Sequence, residues 1–162
     1  MPALRRLAGF FHVLGMGSLY APGGRRRDDP LPFSGNRLTS DDRRFARNQS
    51  IVAHHPELAM GAPTAAWVYA ACVASDRVRD PRFMASIRIP ILFLAAGADR
   101  VVSTPAIERY ARGLRSAAAL TVDGARHELL QEADFYREQV LAAATTYILG
   151  DSAAENGSLA LA

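Results

Sequence analysis

Residues 89–102 read Ile-Pro-Ile-Leu-Phe-Leu-Ala-Ala-Gly-Ala-Asp-Arg-Val-Val, and much of the chain's organisation follows from them. Pro90 opens the run. Ile91 to Ala96 are six apolar residues in succession, closed by Gly97. An unbroken apolar run of this length predicts a strand buried on both faces, as in a parallel sheet covered by helices. Asp99 stands just beyond its C-terminal end, the edge of an open α/β sheet where ligand and reacting groups gather. A helical pattern over 105–114 follows, then a second short apolar run, 118–122, then Gly124-Ala125-Arg126-His127-Glu128. An acid and then a histidine therefore each follow a strand, with one helix between. The strand–helix–strand order implies a right-handed parallel crossover, which would bring both loops to one rim.

That pairing has a chemical meaning. An imidazole between a hydroxyl and a carboxylate can take the hydroxyl's proton and return it to a leaving group, while the carboxylate fixes the tautomer and stabilises the charged ring. The opposing reading makes Asp99 a turn residue bonded to its own backbone, and His127 an ordinary loop histidine. Glu128 and Glu132 stand at helix-start positions and read as helix-dipole partners.

The rest of the chain reads as follows. Residues 3–15 predict a helix whose apolar face carries Leu4, Leu7, Phe11 and Leu14. Residues 16–38 are rich in glycine and proline, carry Arg25-Arg26-Arg27-Asp28-Asp29, and predict a long irregular loop. A helix from about 41 to 54 follows. Thr39 or Ser40 is expected to cap it, and Phe45, Ala46, Gln49, Val52 and Ala53 form its inward stripe. Thr64 caps the next helix, 65–77, which holds Trp67 and Cys72. A helical turn covers 81–86. A final helix spans 132–149 with Phe135, Val140, Ala143, Ala144, Tyr147 and Ile148 facing inward, and 150–162 is a frayed tail. Three regions result: a helical part, 1–86; a strand–helix–strand–helix part, 87–149; and the tail, 150–162.

Composition narrows the function classes. The chain has 162 residues, 49% hydrophobic and 22% charged, with net charge +3, which suits one soluble globular domain. All 19 basic residues are arginine, and outside Arg25–Arg27 they are scattered, so no nucleic-acid partner is expected. Cys72 is the only cysteine and reads as a buried thiol. His54 and His55 are adjacent and do not share a helix face, so they read as helix C-terminal partners, and no metal or cofactor is expected. No apolar run reaches the roughly 18 residues of a membrane span. The N-terminus imitates a signal peptide, but His12 and three glycines interrupt its apolar core, and a cytoplasmic location is expected.

Four stretches carry a resemblance. Ile89-Pro90-Ile91-Leu92 through Gly97-Ala98-Asp99-Arg100-Val101-Val102, with Gly124-Ala125-Arg126-His127-Glu128, resembles the C-terminal third of α/β-hydrolases, within the lysophospholipase and monoacylglycerol lipase branch (serine aminopeptidase-like hydrolases). Phe33-Ser34-Gly35-Asn36-Arg37-Leu38-Thr39-Ser40-Asp41 and His55-Pro56-Glu57-Leu58-Ala59-Met60-Gly61-Ala62-Pro63-Thr64 are similar to the helical cap of bacterial members. The resemblance implies an α/β fold: the helical cap, then the last two parallel strands with their helices, in an incomplete sheet. It also implies that Asp99 is the triad acid and His127 the triad base. Its substrate would be a small acyl ester or lysolipid, lined by Phe11, Leu14 and Trp67 of the cap, with peripheral membrane contact through that cap.

One departure is large. The family's nucleophile sits in Gly-x-Ser-x-Gly, and no such pentapeptide occurs in the chain. Gly150-Asp151-Ser152-Ala153-Ala154 comes nearest, but it lacks the second glycine and follows the histidine. The expected function is therefore a hydrolase fragment with acid and base but no serine. A non-catalytic lipid- or partner-binding remnant and a truncated product without independent function stand as alternatives.

Overall fold

The computed structural model describes residues 2–20 and 32–159, with side chains as far as 150. Arg25-Arg26-Arg27 and residues 160–162 lie outside the described residues. The elements in chain order are α1 (Pro2–Val13), α2 (Asp42–His54), α3 (Ala65–Val78), α4 (Pro81–Ser86), β1 (Ile91–Ala96), α5 (Thr104–Arg112), β2 (Ala117–Val122) and α6 (Asp134–Leu159). Contacts divide the chain into two units, Met1–Leu31 with Gln49–Ile87, and Pro32–Asn48 with Arg88–Ala162. Residues 32–48, expected from the sequence to belong to the helical region, thus join the unit that carries the strands.

The strand unit is a two-stranded parallel sheet, in register from Ile91 opposite Ala117 to Ala96 opposite Val122. The helix α5 packs on both strands and α6 covers their C-terminal ends. The core is small: Ala96, Val122, Ala125 and Val140 are buried, with Leu94, Leu129 and Tyr136 packed against them. β1 was expected to be buried along its whole length. Only Ala95 and Ala96 are, and Ile91–Leu94 are half-buried, because β1 has a single hydrogen-bonded neighbour among the described residues. The same shortage of covering surface changes α6. Val140 is buried and Ala143 and Ala144 are half-buried, but Phe135, Tyr147 and Ile148 of the expected inward stripe are exposed. The helix also runs on to Leu159, past the expected end at 149.

Two caps show how local chemistry sets helix starts. Asp41 caps α2, its Oδ1 accepting the Arg44 N–H at 2.9 Å, where Thr39 or Ser40 had been expected. Both hydroxyls are committed elsewhere: Thr39 donates to the Gln131 carbonyl and Ser40 to the Glu132 carboxylate. Along α2 Phe45 is buried, whereas Ala46 and Ala53 of the expected stripe are exposed. Thr64 caps α3 through Trp67 N–H at 3.2 Å.

In the helical unit α1 packs along α3. The contact runs through small residues: Ala8 is buried, and a Cβ on Gly9 would lie 3.0 Å from the Tyr69 ring. His12 stacks on Tyr69 with ring centroids 5.4 Å apart. The close approach at Gly9 turns α1 so that Leu4, Leu7 and Leu14 of the expected apolar face are more than half exposed. No described helix is long and apolar enough to cross a membrane.

Candidate active site

The site is built where the two parallel strands end. Past β1 the chain turns at Gly97, whose N–H donates to the Val122 carbonyl at 2.9 Å, and Ala98 N–H donates to the Ala125 carbonyl at 2.9 Å. These two bonds lace the loop after β1 to the loop after β2. The second loop turns tightly between Val122 and Ala125, with Gly124 at φ +77°, the left-handed region that glycine enters without steric cost.

Asp99 and His127 meet at this rim. His127 Nδ1 lies 2.9 Å from Asp99 Oδ2. The other carboxylate oxygen, Oδ1, accepts the N–H groups of Val101 at 2.7 Å and Val102 at 3.0 Å. The turn role and the imidazole role that the sequence set against each other are thus held at once, one by each oxygen. The Asp99 side chain is only 3% exposed, and that of His127 is one-third exposed. Burial alone would raise the Asp99 pKa. The bonds from His127 and from the Val102 and Val101 N–H groups outweigh it and hold the carboxyl below its ordinary value. An ionised carboxylate only accepts, so Nδ1 carries the proton, and in the neutral ring Nε2 keeps its lone pair. The pair can therefore act as an oriented base. Among the described residues no serine hydroxyl is hydrogen-bonded to His127.

The loop bearing His127 is fastened by residues that the sequence did not single out for this role. Glu128 N–H donates to the Leu38 carbonyl at 2.8 Å. The Arg126 guanidinium donates to the Thr39 carbonyl at 2.9 Å. Glu132, expected to be a helix-dipole partner, is fully buried and accepts the Arg126 N–H at 2.6 Å. Asn36 organises the opposing segment. Its side chain accepts from Leu38 and Thr39 N–H and donates to the Phe33 and Thr39 carbonyls. Ser40 and Glu132 lie 92 positions apart, and no local spacing announces such a partnership. The resemblance had assigned 33–41 to the helical cap, not to the support of the His127 loop.

The other expected site residues lie in the helical unit. Trp67 is 62% exposed and lines a groove of about 440 Å³ with Leu4, Arg6, Val68, Cys72 and Arg79. Cys72, expected to be buried, is half-buried on that wall. Phe11 is half-buried, edge-on to Phe10 with centroids 5.9 Å apart, and Leu14 is exposed just past α1; neither lines the groove. His54 Nδ1 meets the Ser50 carbonyl at 2.7 Å in the last turn of α2, and His55 Nδ1 meets Glu57. The described residues hold no cluster of three or more metal-ligating side chains.

Parallel strands joined through a helix, with an acid and a histidine at their C-terminal rim, define part of an α/β-hydrolase fold. A solved structure agrees: a soluble variant of monoglyceride lipase from Saccharomyces cerevisiae, in complex with a substrate analog, superposes with a TM-score of 0.62 at 13% identity, over 88% of this chain and 47% of that one. The family model of serine aminopeptidase, S33, matches residues 19–134, and the chain belongs to that family. Lysophospholipase L2 of Escherichia coli strain K12 is 34% identical over 126 residues, 73% of this chain and 36% of that protein. Probable lysophospholipase L2 of Haemophilus influenzae is 30% identical over 131 residues, 80% of this chain and 41% of that protein. The chain thus spans less than half the length of these relatives.

Proposed function

We propose that this chain supplies the acid and base of a serine ester hydrolase acting on lysophospholipids or monoacylglycerols, with Asp99 and His127 in those roles and the nucleophilic serine outside these 162 residues. The observation that carries the reading is the 2.9 Å contact between His127 Nδ1 and Asp99 Oδ2 at the C-terminal rim of parallel strands. In the reaction, Nε2 takes the serine proton as the oxygen attacks the ester carbonyl. Asp99 stabilises the imidazolium, which then passes the proton to the departing glycerol oxygen. The names of the bacterial relatives support a single-chain lipid ester as substrate. The groove beside Trp67 supports a place for the hydrocarbon chain, since Leu4, Val68, Ala71 and Cys72 line it with that ring. Exposed Leu7, Phe10 and Val13 on α1 favour peripheral contact with a lipid surface.

Two measurements test this. A fluorophosphonate probe should label no serine of the purified chain, because a base without its nucleophile lacks the covalent step; clear labelling of one serine overturns the reading. A chimera joins the part of the E. coli relative that precedes the aligned region to this chain. It should hydrolyse lysophosphatidylcholine and lose that activity with Asp99→Ala or His127→Ala. Full hydrolysis by either variant removes the assigned roles.

A further inference from the structure

Glu132 is the most heavily bonded acid outside the Asp99–His127 pair. Its side chain is fully buried. Oε1 accepts the Arg126 N–H at 2.6 Å, and Oε2 accepts the Ser40 N–H at 2.9 Å, the Ser40 hydroxyl at 2.5 Å and the Ala133 N–H at 3.2 Å. Among the described residues no cation is paired with this carboxylate. The nearby Arg44 guanidinium donates instead to the backbone carbonyl of Glu132 and to Asp134. With a longer contact from the Thr39 hydroxyl at 3.4 Å, these N–H and O–H dipoles balance a buried negative charge. Such an arrangement is costly to leave half-made.

What these bonds hold is the backbone around His127. On its N-terminal side the Arg126 N–H is tied to Glu132. On its C-terminal side the Glu128 N–H is tied to Leu38. The Arg126 guanidinium adds the Thr39 carbonyl at 2.9 Å. The Ala125–Arg126 and His127–Glu128 peptides are thus fastened on either side of the histidine, the first to the Glu132 carboxylate and the second to the Leu38 carbonyl.

We propose that Glu132 is a positioning residue for His127: its carboxylate joins Ser40 to the Arg126 peptide and so sets the backbone from which Nδ1 reaches Asp99. The inference rests on the triad roles given above. A carboxylate suits the task where an amide does not. Every partner of Glu132 is a donor, and the amide of Glu132→Gln brings two donors of its own into that cluster. The shape is kept, yet N–H must face N–H.

The test is the imidazole NMR spectrum of the full chain. The wild type should show a downfield Nδ1 proton that vanishes in His127→Gln, which assigns it. Glu132→Gln should move that proton upfield and speed its exchange with water at least tenfold. Phe93→Leu, a change at a half-buried position of β1 away from the rim, should leave it unmoved even where it lowers the melting temperature comparably. Ser40→Ala, which removes one donor, should shift it in the same direction by less. An unmoved signal in folded Glu132→Gln overturns the positioning role alone, and so does an equal shift in Phe93→Leu. If Glu132→Gln does not fold, Ser40→Ala decides, and an unmoved signal there overturns the role. A wild type without the proton overturns the Asp99–His127 pair and this inference with it.

Discussion

Gly97 and Asp123, each the first residue past its strand, run so close together that a Cβ on Gly97 would lie 2.8 Å from Asp123 Cα. The two nearest atoms are backbone, with the Val122 carbonyl oxygen at 3.0 Å, so neither can swing aside as a flexible side chain would. This crossing point lets the two loops exchange the hydrogen bonds that bring Asp99 to His127.

Gly97→Ala should therefore cost more than an ordinary surface change. The added methyl forces the two loops apart, an overpacking effect of about 1–3 kcal/mol. Urea denaturation should show the lower midpoint. The His127 ring signals should move with it, because the displaced loop is the one that carries Asp99.

Asn36→Ala should be among the most damaging single changes outside the core. The side chain is buried and makes four hydrogen bonds to the backbone of residues 33–39. Alanine leaves the Thr39 N–H without its partner, and an unsatisfied buried group costs about 1–3 kcal/mol. A fall in the urea midpoint of the strand unit checks this, and a change no larger than that of an exposed alanine substitution refutes it.

Stability should fall on acidification, and the sign follows from two carboxyls. Burial alone would raise the pKa of Glu132. The Ser40 hydroxyl and the N–H groups of Arg126, Ser40 and Ala133 outweigh it and hold the value down, as the corresponding bonds do for Asp99. Each group is harder to protonate folded than unfolded, so in acid the unfolded chain binds more protons. Their contribution is complete above the unfolded carboxyl range, roughly pH 5 and up, and is lost as pH drops through the lower folded values. The urea midpoint measured from pH 7 down to pH 3 should decline, and less steeply in Asp99→Ala. A midpoint that rises toward pH 3 contradicts the assignment.

Thr64→Ala should act on the helical unit. The hydroxyl caps α3 through Trp67 N–H, and loss of such a cap costs about 1 kcal/mol. Hydrogen exchange should quicken for the first-turn amides of α3 while those of β1 and β2 keep their rates.

The rim of the sheet was legible in the sequence because everything that makes it is local. An apolar run, a glycine and an acid within nine residues specify the end of β1, and the limits of β1, α5 and β2 fall within about two residues of their expected places. The supporting shell was not legible. Glu132 finds Ser40 92 positions upstream, and only packing reveals that a glutamate at a helix start is buried. The α2 cap moved from Thr39 or Ser40 to Asp41 for the same reason, since tertiary partners claimed the two hydroxyls. The α1 face was misjudged because Gly9 and Ala8 let α3 approach the small side of the helix. Periodicity finds large apolar residues but not the places where backbones come close.

The two oxygens of Asp99 answer to different masters. Because Oδ1 is committed to two consecutive peptide groups, the carboxylate cannot pivot to follow a wandering imidazole. The ring must come to the acid, and its heading is inherited from three residues of main chain. A substitution at Val101 or Val102 that bends this short arc would misdirect His127 without touching it, much as a twisted bracket misaims the lamp it holds.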